Sequence, residues 1–276
     1  MELAITKQDF DKAIPAAREA KGHVFNAVEP FIQTELQYLE DRYLGESGAQ
    51  AVTNDADSIL ANIVKYLACI RAFLSQLRGL DLVLTDTGFG VVSTNSTAPA
   101  SKQRVDALDG QLRRQERLLL GSLLNQLFNV SGWSNAPQRK FAVQTLFFCM
   151  QQLEQWAGIN NPKPEDWDTA VPTILEADSF LRKHLGNAYM DELIEKMTSR
   201  QLDNYSAPIV HLCQQYIGAC IAQNIRLREE TYMRLINHLE ADLTHYPTYA
   251  NGEGYRLNHF KPYENHADDS AFHFVG

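Results

Sequence analysis

Metal chemistry is the first possibility the side chains raise, because the chain of 276 residues carries eight histidines. His259, His266 and His273 recur every seven residues. That spacing brings imidazoles to one face only along a helix, and Pro262 interrupts any helix that would align them. His266-Ala-Asp-Asp269 is the one close His/Asp grouping, and neither HExxH nor HxH occurs. Cys69, Cys149, Cys213 and Cys220 form no CxxC pattern. Cys213 and Cys220 share a helix face but lie two turns apart, too far to bridge, so the four thiols are expected as small core side chains. Gly88-Phe-Gly90 begins a phosphate-loop pattern, but Ser93 stands where the third glycine belongs. No GxxxxGK[ST] loop and no GxSxG elbow follows. Asp191 with Glu192, and Glu229 with Glu230, are adjacent on helical stretches and point to different sides, so they belong to solvated faces. Arg104, Arg113, Arg114 and Arg117 alternate with Asp106, Asp109 and Glu116, which predicts local ion pairing. No catalytic, cofactor-binding or metal-binding residue is expected.

The remaining composition suits a globular chain: 45% hydrophobic, 21% charged, and a formal net charge of −9. Acidity argues against nucleic acid as the main ligand, because phosphate binding needs a basic face. The start, Met1-Glu-Leu-Ala-Ile-Thr-Lys-Gln-Asp9, lacks the charged and apolar regions of a secretory signal. No apolar run approaches the ~18 residues of a membrane span, and no membrane partner is expected. The N-x-S/T triplets at Asn95, Asn129 and Asn204 are read as chance.

Helical periodicity dominates the elements that would position any site. Ile59, Ile63, Tyr66, Ile70, Phe73 and Leu77 step by four and three along one helix face. Asn54 is the expected cap and Gly79 the stop. An earlier helix is predicted over 28–44 with Pro30 in its first turn, and a long one over 101–128. Residues 138–157 are apolar nearly all round, which predicts one central helix. Asn160-Asn-Pro-Lys-Pro164 is a linker, followed by helices over 167–184 and 187–198 and a long helical segment over 206–243. Between them, Leu82–Ser93 holds two short apolar runs around Asp86-Thr-Gly88, the pattern of a β-hairpin.

Three blocks recur in order. Phe10-Asp-Lys-Ala-Ile-Pro15 is similar to Trp167-Asp-Thr-Ala-Val-Pro172, Tyr43-Leu-Gly45 to His184-Leu-Gly186, and Ile59…Tyr66 to Ile209…Tyr216, at offsets of 157, 141 and 150. Chance likeness of amphipathic helices is one account; internal duplication is the other and the preferred one. The expected fold is thus all-α: a helical bundle with an internal duplication, one β-hairpin insertion and an extended C-terminal arm. Its parts would be a first helical subdomain over 1–135 with the hairpin at 82–93, a second over 136–245, and an aromatic-rich tail over 246–276. That tail holds 7 aromatic residues in 31, too many for a free solvated segment, so docking on its own body or on another chain is expected. Ala271-Phe-His-Phe-Val-Gly276 alternates like a strand that adds to a sheet edge.

Val83-Leu-Thr-Asp-Thr-Gly-Phe-Gly-Val-Val-Ser93 and Ala98-Pro-Ala-Ser-Lys-Gln-Arg-Val105, with the start at Phe10–Pro15 and the ending Phe272-His-Phe-Val-Gly276, carry a resemblance. The chain resembles the helical head–tail connector (adaptor) proteins of tailed bacteriophages and prophages, mainly over 1–130 and the tail. The resemblance implies a non-enzymatic virion protein at the head–tail junction, assembled from the host cytoplasm. It implies a homo-oligomeric ring below the portal, with tail-side connector proteins as further partners. DNA would pass through without sequence-specific binding, and an acidic wall suits a duplex that must slide. Expected partner-binding residues are Phe89, Val91 and Val92 of the hairpin and Tyr255, Phe260, Tyr263, Phe272 and Phe274 of the tail. A ligand-binding protein or enzyme with a cleft between the two subdomains is the alternative, and a host helical scaffold is a third.

Overall fold

The computed structural model describes residues 3–18, 22–80, 82–85, 88–91 and 102–259, with the backbone alone described in the strands. The protein is predominantly helical. Its first part runs α1 (Lys7–Ala13), α2 (His23–Leu39) with a π-helical continuation (Glu40–Leu44), α3 (Gly45–Asn54) and α4 (Ile59–Gln76). Strands β1 (Leu82–Thr85) and β2 (Gly88–Val91) pair antiparallel, Leu82 opposite Val91 and Leu84 opposite Phe89. There follow α5 (Lys102–Leu127), α6 (Pro137–Ala142) and α7 (Gln151–Ala157). The second part holds α8 (Pro164–Leu185), α9 (Asn187–Thr198), α10 (Ser206–Ile221), α11 (Ile225–Ala241), α12 (Pro247–Ala250) and α13 (Glu253–Asn258).

Each part wraps its neighbours around one central apolar helix. α4 packs against α1, α2 and α5; α10 packs against α7, α8 and α11. By length and composition α4 is apolar enough to cross a membrane, yet most of it is buried inside the fold, as a core helix requires. The buried side chains of both parts, from Leu3 to Tyr249, form one continuous core.

Burial runs in step through the two parts. α2 buries Val28, Ile32, Leu36 and Leu39; α8 buries Ala170, Ile174, Asp178 and Leu181, each 142 residues later. Pro30 and Pro172 fall inside these helices at the same offset. The π-helical turn adds one residue to the first series. Leu44 and Gly45 therefore precede Leu185 and Gly186 by 141. Both leucines are fully buried, and both glycines hold a positive φ, 61° and 95°, that turns the chain into α3 or α9. In the central helices Leu60, Ile63, Val64, Leu67 and Ala68 match Ile209, Leu212, Cys213, Tyr216 and Ile217 at an offset of 149.

The end of α2's continuation and the end of α8 are then closed from below in related ways. After α5 the chain returns, and the fully buried Trp133 donates its indole N–H to the Tyr43 carbonyl at 2.8 Å. After α11 it returns through α12 and α13, and Asn258 donates to the His184 carbonyl at 3.1 Å. Both acceptors are carbonyls at a helix end, which lack an intrahelical donor.

Several expectations are corrected. Pro30 is the eighth residue of α2, not a first-turn residue; it withholds a donor from the Asn26 carbonyl inside the helix. Asn54 ends α3, and Ser58 caps α4 by accepting from the Ala61 amide at 3.1 Å. The central helix over 138–157 is broken between Ala142 and Gln151, because side chains there replace helical hydrogen bonds. Gln152 accepts from the Phe148 and Cys149 amides and donates to the Leu146 carbonyl, while Thr145 bonds both backbone groups of Phe147. The segment over 206–243 turns between α10 and α11 at Gln223, whose φ is 53°. Residues 246–258 are not an extended arm. Tyr246 and Tyr249 are buried and α13 packs on α8, since their rings complete the core beside Tyr189.

Candidate functional site

Of the hairpin and tail residues singled out from the sequence, Phe89, Val91 and Tyr255 lie among the described residues. Phe89 and Val91 lie on β2. Tyr255 lies on α13, half-buried, edge-on to Tyr249 at 5.6 Å and stacked on His259 at 4.1 Å. Val92, Phe260, Tyr263, Phe272 and Phe274 fall outside the described residues.

A different surface gathers exposed apolar groups. A groove of about 310 Å³ lies where the two parts meet, between the π-helical turn, α6 and α8. Phe141 and Leu175 stand in it 59% and 48% exposed, with Trp167 and Phe148 beneath them. Arg42 lies over the Phe141 ring at 5.7 Å. Trp167 is fixed by stacking on the buried Phe147 at 6.3 Å. Beside it, Arg117 of α5 pairs with Asp168 of α8 at 3.0 Å and ties the parts together. Large apolar side chains exposed in a concave, cation-rimmed groove suit an aromatic or aliphatic anchor from another molecule.

Acid–base or nucleophilic chemistry has no matching geometry in this groove. Thr145 is committed to Phe147, and burial pushes the neighbouring Cys149 thiol up to about 11, so it stays protonated at neutral pH. Burial likewise pushes Cys69 up to about 12. Among the described residues no three His, Cys, Asp or Glu side chains gather as metal ligands. Three arginines of the α5 row bond within the protein, only Arg113 by the expected local pairing: Arg113 to Asp109 at 2.7 Å, Arg114 to the Pro162 carbonyl at 3.1 Å, and Arg117 to Asp168.

The groove was hidden in the sequence because Phe141 sits in a stretch that reads as uniformly buried. Leu175 did carry a signal: it falls off the Ala170–Ile174–Ala177–Leu181 face.

A family model described as a family of unknown function, DUF6712, matches residues 28–142, from within α2 to the end of α6. No curated protein and no solved structure matches the chain.

Proposed function

We propose that the chain is a non-enzymatic assembly subunit, a head–tail connector that forms a ring below a viral portal and extends its DNA channel. The observation that carries the proposal is the junction groove, where Phe141 and Leu175 stay exposed beside Arg42 although an apolar core lies within reach. The resemblance over Val83–Ser93 and Ala98–Val105 directs that contact function to the head–tail junction. The net charge of −9 suits a lumen that does not hold a sliding duplex. On this reading the portal, tail-side connectors and further copies of the chain are the partners, in the virion.

The same proposal takes the two parts as an internal duplication, with the hairpin inserted in the first copy only. Its support is the shared order of helix, positive-φ glycine, short helix, central helix, outer helix and returning closure. The in-step burial pairs Pro30 with Pro172, where sequence similarity alone had paired Pro15 with Pro172.

The test is a double substitution, Phe141→Ser with Leu175→Ser, mixed with a tailed-bacteriophage portal protein. Native mass spectrometry should show rings with the parent chain, and a folded but unassembled variant. Unchanged assembly by the variant would remove the groove from the account. A ligand site in the same groove is the second reading, favoured by the 310 Å³ depression. Thermal stabilisation by a small apolar ligand without any ring formation would select it.

A further inference from the structure

Arg71 and Cys220 occupy the same step of the two central helices, 149 residues apart, and what surrounds them differs. In the first part the guanidinium of Arg71 closes the space between three helices. It donates to Glu35 of α2 at 2.6 Å, pairs with Glu116 of α5, and lies 4.2 Å from the centre of the Tyr38 ring. In the second part the corresponding space between α8, α10 and α11 is a cavity of about 400 Å³. Cys220 lines it where an arginine would enter, and Phe180 stands in register with Tyr38 at the 142-residue offset of the outer helices.

The cavity lacks the cation of α4 and has carboxylates of its own: Ala177 stands in register with Glu35, and Glu176 lines the wall one residue before it. Phe180 stacks on Tyr216 at 5.4 Å and meets Tyr232 edge-on at 5.3 Å, making an aromatic wall. Glu176 of α8 and Glu229 of α11 stand at its exposed rim. Among the described residues neither carboxylate makes a salt bridge. Arg228 also lines the cavity, leaving the three charged groups one negative charge in excess. A flat aromatic wall with carboxylates at the edge is the surface a guanidinium prefers, by cation–π attraction and charge-assisted hydrogen bonds.

Resting on the repeat proposed above, we infer that this cavity binds a guanidinium group supplied from outside the chain, in the place that Arg71 fills in the first part. The group comes either from a free small cation or from an arginine side chain of a partner protein.

The test is isothermal titration of the full chain with agmatine, with a blocked Ala-Arg-Ala peptide, and with the same peptide carrying neutral citrulline. The arginine peptide or agmatine should bind, with citrulline about tenfold weaker or worse. Tighter binding of the peptide than of agmatine assigns the group to a partner's side chain, and the reverse order to a free cation. Glu176→Gln, a change at an exposed position, should weaken binding about tenfold. Equal binding of citrulline, no binding of either guanidinium compound, or an unchanged affinity in Glu176→Gln would overturn the site. A crystal structure of Cys220→Arg tests the repeat separately. The new guanidinium should lie over Phe180 beside Glu176, and titration should then show no further binding. A guanidinium turned away from Phe180 would overturn the register of the two parts, whatever the titration of the parent chain shows.

Discussion

Arg71 and Cys220 share a place in the burial pattern, yet one is bound by two carboxylates and a ring while the other borders an open cavity. The frames around them agree in the positive-φ corner, the central helix and the returning segment that caps the corner. The first three-helix corner is locked by charges from three helices, and the second is open, with Ala177 standing where Glu35 does at the 142-residue offset. The corner closures differ in the same sense: a buried tryptophan in the first part, an asparagine on a short helix in the second.

The largest expected contrast lies in those closures. Trp133→Ala should cost about 4 kcal/mol in urea denaturation, because it empties a fully buried indole site and frees the Tyr43 carbonyl. Asn258→Ala should cost about 1–2 kcal/mol, the value of its two hydrogen bonds to the His184 carbonyl and ring. Comparable losses would mean that the second closure bears far more of the fold than its contacts indicate.

The ionic lock comes next. Arg71→Ala should cost about 2 kcal/mol, discounted from a fully buried pair because Arg71, Glu35 and Glu116 keep 22%, 17% and 14% side-chain exposure. Cys220→Ala should change stability by less than about 1 kcal/mol, since its side chain borders space already open. An Arg71→Ala variant as stable as the parent would show that the first corner holds by packing alone.

Gly186→Ala should cost roughly 1–3 kcal/mol, because φ of 95° with ψ of 141° belongs to a region closed to side chains with a Cβ. Thermal melts check it, and a neutral substitution would mean the corner can relax.

The smallest effect is a difference in pH response. α4 is capped by Ser58, which does not titrate, while Asp203 holds the start of α10. Hydrogen bonds from the Ser206 amide, the Ser206 hydroxyl and the Tyr205 amide keep the Asp203 carboxyl below its ordinary 3.8. A lowered folded value means this support is complete above 3.8 and is lost as pH falls through the folded value. Amide exchange at low pH should accelerate at residues 205–207 before residues 59–62. Simultaneous acceleration would contradict the assigned caps.

Much of the helical frame was legible because its causes are local. α9 is read at both ends from Gly186 and its own apolar pattern, and the core face of α4 from steps of four and three. The break between α6 and α7 was not legible, because the groups that replace its helical bonds include one glutamine, Gln152, seen only in three dimensions. Sequence similarity set Pro172 against Pro15, whereas burial sets it against Pro30, since the 142-residue register of burial does not show in residue type. The groove at Phe141 was missed for the same reason as the helix break. The cavity at Cys220 was invisible as well, because its walls come from α8, α10 and α11 and meet only in three dimensions.

The most direct test of this contrast is an amide NMR titration of the full chain with agmatine. The account predicts shifts in α8, α10 and α11 around Glu176, Tyr216, Cys220 and Tyr232, and none around Arg71, Glu35 and Glu116. Shifts of equal size in both corners, or none in the second, would contradict it.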